Sequence, residues 1–180
     1  MKNYINLSDI EDLKALIHDA RGTKSNPSEE KPGKGKTLGM IFFNPSLRTR
    51  LSTEKAARLL GMEVMVMNAD KDGWALEFEE GAIMNSDKAE HAKEAAAVLS
   101  QYCDIIAVRA FPGLKDREKD ETELVMNSFK KYASVPIVNL ESATGHPLQA
   151  LTDAITIQEL SEKSRPKVVL SWAQIGRAHV

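Results

Sequence analysis

The residues best suited to chemistry in this 180-residue chain stand together at Asn44-Pro45-Ser46-Leu47-Arg48-Thr49-Arg50. An arginine guanidinium clamps an oxyanion through two parallel bonds, and the hydroxyls of Ser46 and Thr49 can donate to it. The apolar run Leu38-Gly39-Met40-Ile41-Phe42-Phe43 comes before, and Leu51 to Leu60, rich in helix formers, comes after. Pro45 ends the strand and Ser46 is a suitable N-cap. The predicted unit is a strand, a tight turn and a helix N-terminus. First-turn N–H groups have no partner inside a helix, and its dipole favours an anion there. The unit is a phosphate cradle that needs no glycine loop. The same residues also fit a plainer role, a capped helix with solvated arginines, and composition does not separate the two.

Two more candidates stand at the ends of predicted strands. Arg109 closes the run Cys103 to Val108; the plain alternative is a surface arginine. His146 precedes Pro147, which suits the first position of a helix. A lone histidine before proline is more simply a cap or loop residue. Trp74, in Asp72-Gly73-Trp74, would ordinarily pack on a nearby surface. His18, His91 and His179 fit no metal-ligand spacing, so no metal is expected. Cys103 is expected to pack inside a strand. Gly35-Lys36-Thr37 looks like the end of a nucleotide phosphate loop. However, Glu30 stands where the earlier glycine is required, and a strand follows instead of a helix.

The elements that must position these residues alternate in type. Ser8-Asp9-Ile10-Glu11 has capping-box spacing. Ile10, Leu13, Leu16 and Ile17 then recur at helical period, predicting a helix that ends near Gly22. Strands are predicted over 38–43, 63–68, 103–109 and 135–139. Helices are predicted over 51–60, 91–102, 121–132 and 147–163, with room for a short one in 79–91. A further strand is predicted from Lys167 to Trp172, after Pro166. The pattern implies an α/β fold: a parallel four-stranded sheet with helices on both faces. Ligands in such sheets bind beyond the carboxyl ends of the strands, where Ser46, Arg109 and His146 all fall.

Composition narrows the classes. Hydrophobic content of 42% permits a sizeable core. A net charge of −2 and a pI near 6.1 argue against nucleic-acid binding by bulk positive charge. The single cysteine excludes a disulfide framework and suggests a reducing cytoplasm. No apolar run reaches membrane-spanning length, and Met1-Lys2-Asn3-Tyr4 opens no signal peptide.

Ser46-Leu47-Arg48-Thr49-Arg50 resembles the carbamoyl-phosphate motif of the aspartate/ornithine transcarbamylase family. That family usually carries an acidic or basic residue where Asn44 stands, and Thr or Gly where Leu47 stands. Both departures resemble the acylornithine branch, which acts on N-acetylornithine or N-succinylornithine. Ile106-Ala107-Val108-Arg109-Ala110-Phe111 resembles the same branch. His146-Pro147-Leu148-Gln149 is similar to the family's His-Pro-x-Gln motif. The likeness covers about residues 1–173.

The resemblance implies carbamoyl transfer from carbamoyl phosphate to the δ-amine of an acylornithine, in arginine biosynthesis and without a cofactor. It implies that Ser46, Leu47, Arg48 and Thr49 hold the phosphate. Arg109 would contact both phosphate and carbonyl oxygen. Thr49, Arg109 and His146 would stabilise charge on that oxygen, and Gln149 would fix the carbamoyl NH2. Phe111 and Glu141 would lie near the amino-acid substrate. Trp74 would reach a neighbouring subunit's site in a homotrimer. At the position of Ala89, acetylornithine enzymes carry glutamate and succinylornithine enzymes a small or apolar residue, so N-succinylornithine is favoured. N-acetylornithine, ornithine, and a non-catalytic anion-binding domain are the alternatives. The implied division is 1–146 for the carbamoyl-phosphate-binding domain and 147–173 for a crossover helix and first strand of a truncated amino-acid-binding α/β domain. Gln174 to Val180 departs from the family; Ile175-Gly176-Arg177-Ala178-His179-Val180 looks like a sequencing adapter read in frame. The chain is therefore expected to be a fragment with a non-native tail, inactive alone.

Overall fold

A computed structural model describes residues 2–26, 30–69, 71–73, 75–84, 88–161, 163 and 165–171. Among the described residues the strands are β1 (Thr37–Phe42), β2 (Glu63–Asn68), β3 (Leu76–Glu77), β4 (Glu90–His91), β5 (Ile105–Arg109) and β6 (Ile137–Glu141). The helices are α1 (Leu13–Ser25), α2 (Arg48–Leu59), α3 (Ala92–Tyr102), α4 (Arg117–Glu121), α5 (Leu124–Tyr132) and α6 (Pro147–Leu160). β2, β1, β5 and β6 form one parallel sheet in that order, and β3 pairs with β4 in a separate two-stranded ladder.

Alternation along the strands divides the core between two faces. Ile41, Ile106, Val108 and Ile137 turn toward Ala96 of α3 and toward Met126 and Phe129 of α5. Leu38, Met40, Phe42, Ala107 and Leu140 turn the other way, with Ala57 of α2 and Leu148 of α6. Helices therefore cover both faces, as parallel pairing requires. Gly39 sits where β1 passes Cys103, and a Cβ there would lie 2.6 Å from Cys103 Sγ. Cys103 is buried, but at the C-cap of α3 ahead of β5 and not inside a strand as expected, and it is matched to a residue without a side chain.

Several expected boundaries move. The capping box forms at Asn6 and Asp9, around a single 3-10 turn, instead of at Ser8 and Glu11. α1 then starts at Leu13, where the Asp12 carboxylate accepts from Ala15 N, and it runs on to Ser25. The helix expected over 121–132 is two pieces. Glu123 adopts a left-handed backbone (φ 51°, ψ 42°) between α4 and α5, a conformation costing about 1 kcal/mol for a residue with a Cβ. No helix forms among the described residues of 79–91; the segment contributes β4 instead. There the Glu77 carboxylate accepts from Phe78 N, Glu79 N and Lys88 Nζ, which holds its pKa down at about 2. The strand expected from Lys167 does not form over its described residues, 167–171. Residues 165–171 join no ladder among the described residues, and Val169 and Leu170 are 89% and 97% exposed. Without a neighbouring ladder an isolated strand has no partner for its N–H and C=O groups.

Candidate functional site

The path of the sheet decides where a ligand can sit. From β1 the chain crosses to β2 on one side, whereas β5 lies on the other and leads to β6. The crevice beyond the carboxyl ends of β1 and β5 is thus a topological switch point, the usual ligand position in open parallel sheets. The turn after β1 delivers the cradle to this place. Leu47 occupies the N-cap position of α2 by backbone geometry and has no capping side chain. Ser46 does the capping from one residue further back, its Oγ accepting from Thr49 N at 3.2 Å. Leu47 is 74% exposed and Arg48 is exposed. Arg50, two residues on, points elsewhere: it donates to Asn68 Oδ1 at 3.1 Å, so only one arginine of the motif faces the cleft.

Arg109, the last residue of β5, is 6% exposed. Its Nη2 donates to Glu141 Oε2 at 3.0 Å; its Nη1 donates to the carbonyls of Asn44 (3.1 Å) and Pro45 (2.6 Å). The Phe111 ring lies under the guanidinium, 4.0 Å from Cζ to centroid, a cation–π contact. A register shift makes the Arg109–Glu141 pair possible. Val108 pairs with Asn139 but Arg109 with Glu141, so Leu140 is an extra residue on β6. Such a bulge re-aims a side chain, and here it turns the Glu141 carboxylate to the arginine. Arg109 Nε remains buried with no hydrogen-bond partner. An unsatisfied buried donor is uncommon in a folded chain.

His146 ends the loop after β6, with Pro147 opening α6 behind it. Its Nδ1 is buried and unpartnered, and the ring makes no capping bond. Burial pushes the imidazole pKa below its ordinary value; Glu141 and Asp153 pull it up, and Arg109 pushes it further down. The ring is therefore neutral near pH 7 and has one N–H to offer. The unfolded chain takes up a proton on this residue below about pH 6.5, while the folded chain resists it. Stability on this account is fully present above the unfolded pKa and is lost as pH falls below it. Urea titrations at pH 7.5 and 5.5 should show a smaller acid loss in His146→Gln than in the parent; equal losses would mean the ring is not held neutral. Gln149, one turn into α6, is exposed and donates to Asp153 Oδ1 at 2.8 Å.

Ser46, Leu47, Arg48, Thr49, Arg109, Glu141, His146 and Gln149 together line one cleft of about 600 Å³. Residues 2–159 match the description aspartate/ornithine carbamoyltransferase, carbamoyl-P binding domain. The chain belongs to this family. It is 48% identical over 174 residues to N-succinylornithine carbamoyltransferase of Bacteroides thetaiotaomicron, covering 96% of this chain and 55% of the relative. It is 40% identical over 177 residues to N-acetylornithine carbamoyltransferase of Xylella fastidiosa, covering 96% and 52%. It also superposes on a glutamate-to-alanine mutant of N-acetyl-L-ornithine transcarbamylase complexed with carbamyl phosphate and N-succinyl-L-norvaline. That match has a TM-score of 0.84 and 42% identity, over 89% of this chain and 48% of the other. The chain thus spans about half the length of the curated relatives it matches.

Within this carbamoyltransferase-family domain two further predicted residues, Phe111 and Ala89, do not line the cleft. Phe111 stands behind Arg109 as its aromatic support, with its N–H donating to Asn44 Oδ1 at 2.6 Å. Ala89 is exposed on a separate hollow with Gly81, Met84, Glu90 and Tyr132. Trp74 lies outside the described residues, as do Trp172 and the tail from 173 to 180. Sequence reasoning missed Ser52 and Thr152, which line the cleft. Each was available from helical spacing: Ser52 is four residues after Arg48, and Thr152 is three after Gln149. Among the described residues no group of three His, Cys, Asp or Glu side chains could hold a metal ion. No helix among them is long and apolar enough to cross a membrane.

Proposed function

We propose that this chain is the carbamoyl-phosphate-binding part of an N-succinylornithine carbamoyltransferase. The observation that carries the reading is the buried, unpartnered Arg109 Nε at the strand end, in a cleft whose opposite wall is the α2 N-terminus with Ser46, Arg48 and Thr49. In this reading the phosphate sits on that N-terminus, held by Arg48 and the two hydroxyls. Arg109 turns a donor to the phosphate and to the carbonyl oxygen. The neutral δ-amine of the acceptor forms the C–N bond, the C–O bond to phosphate breaks, and the nitrogen's proton passes to the departing phosphate. Charge on the carbonyl oxygen is met by Thr49, Arg109 and the N–H of neutral His146, and Gln149 holds the carbamoyl NH2. No covalent intermediate is required, since positioning and fixed dipoles lower the barrier. The enzyme works as a homotrimer in the cytoplasm, in arginine biosynthesis, with Trp74 reaching a neighbouring subunit's site and Ala89 at the position that selects the acyl group. Glu141 borders the acceptor side of the cleft.

Two features support succinyl over acetyl. The N-succinylornithine relative is closer in identity than the N-acetylornithine one. Ala89 also lacks the carboxylate that would repel a succinyl group. Calorimetry on this chain with carbamoyl phosphate, against ATP as control, tests the first half; absence of binding removes the reading. The acyl group is decided by rates on N-succinylornithine and N-acetylornithine in a protein that joins this chain to the rest of an acylornithine transcarbamylase. The succinyl substrate should be preferred about tenfold or more, as one repulsive contact avoided implies. Preference for the acetyl substrate would overturn the choice.

A further inference from the structure

His146 is placed without holding itself. Among the described residues its ring makes no hydrogen bond, and it stands at the end of the irregular turn Ser142–Gly145. Its position is inherited from that turn, and the turn is fastened mostly from one residue. The Glu123 carboxylate accepts from Ser142 Oγ (2.7 Å), Thr144 N (2.7 Å), Thr144 Oγ1 (2.6 Å) and, through its other oxygen, Ala143 N (3.3 Å). Asn139 holds the turn from inside, its Nδ2 donating to Ser142 Oγ at 2.8 Å, while Ser142 N closes it on Gly145 O at 2.8 Å. Glu123 is also the residue forced into the left-handed backbone conformation between α4 and α5. Glycine, the easy occupant of that conformation, is absent where a carboxylate is used.

We propose that Glu123 is a positioning residue for His146, holding the 142–145 turn so that the imidazole faces Arg109 and Glu141 across the cleft. Strain at an irregular backbone position persists only where surrounding contacts fix it, and here the contacts are the four donors of the turn. Glu123 itself does not line the cleft. The importance of His146 to carbamoyl transfer rests on the proposed function, but its placement by Glu123 does not.

The test compares Glu123→Gly with Glu123→Gln. Glycine relieves the left-handed backbone and removes the anchor; glutamine keeps one oxygen as acceptor. A local role at the α4–α5 junction alone would leave the glycine chain equal to the parent or better. The ring is followed by NMR titration, its signal assigned by its loss in His146→Gln. Glu141, Arg109 and Asp153 are the charged groups acting on it. In Glu123→Gly the His146 midpoint should rise toward the ordinary histidine value as the ring gains solvent, and carbamoyl phosphate should bind about tenfold more weakly. Glu123→Gln should stay within about twofold of the parent, since its amide oxygen still accepts from two of the turn's donors. If the glycine chain does not fold, Ser142→Ala cuts the same link from the turn's side and should raise the His146 midpoint too. An unmoved His146 midpoint in the folded variant overturns the proposal. Failure of the parent to bind carbamoyl phosphate would defeat the proposed function, while the His146 titration would still decide this inference.

Discussion

Arg109→Ala is expected to lower the stability of the chain by about 3 kcal/mol and to abolish measurable carbamoyl phosphate binding. The guanidinium is almost wholly buried and satisfies three acceptors at once: Glu141 and the carbonyls of Asn44 and Pro45. Removing it leaves a carboxylate facing a cavity, and that orphaned charge is the main cost. The Glu141 side chain is 25% exposed, so water relieves part of the penalty and the low end of the usual range applies. The two carbonyls also fix the turn that presents Ser46 to Thr49, so the cradle loosens with the arginine. Urea denaturation and calorimetry read the two effects separately. Arg109→Leu combined with Glu141→Leu should recover much of the stability, because no charge is left unpaired, and none of the binding. An unchanged denaturation midpoint in Arg109→Ala would mean that the pair is not formed in solution.

Arg48→Ala should do the opposite: leave stability within about 0.5 kcal/mol of the parent and weaken carbamoyl phosphate binding by about 2 kcal/mol, roughly thirtyfold. Arg48 is exposed, and no hydrogen bond or ion pair engages it among the described residues. Its guanidinium is therefore available, at the end of a helix whose first N–H groups already favour an anion. A charge-assisted bond to a dianion is lost and nothing in the free chain is disturbed. Arg50→Ala is the natural comparison, since that side chain is committed to Asn68 and should change binding little. If Arg48→Ala binds carbamoyl phosphate as the parent does, the α2 N-terminus is not the phosphate site.

Much of this was legible in the chain. The four apolar runs, the Pro45 break and Pro147 at a helix start gave the strands and their order of appearance, because each rests on local pattern and backbone restriction. Other features depended on neighbours distant in sequence. Two capping boxes compete within a few residues near the start, and Asn6 with Asp9 prevails over Ser8 with Glu11. Glu123 reads as an ordinary helix residue; its left-handed backbone is selected by a turn about twenty residues away. The part Glu141 plays depends on a one-residue register shift at Leu140, which no composition records. The motif read as two arginines at one point, but residues two apart on a helix do not share a face.

The small bridge at Tyr4 bears on how the chain reaches this state. Tyr4 N donates to Ile137 O at 2.8 Å and Asn139 N donates to Tyr4 O at 2.9 Å, so the first residues flank β6. Asn3 Oδ1 accepts from Ile137 N across 134 residues of sequence. The β1–α2–β2 unit can assemble from neighbouring chain, whereas this closure must await the last strand of the sheet. Contacts of such separation carry the largest loop-closure entropy and slow folding. Synthesis thus releases the N-terminal segment long before its partner exists, and until β6 arrives the outer edge of the sheet stays open to other chains.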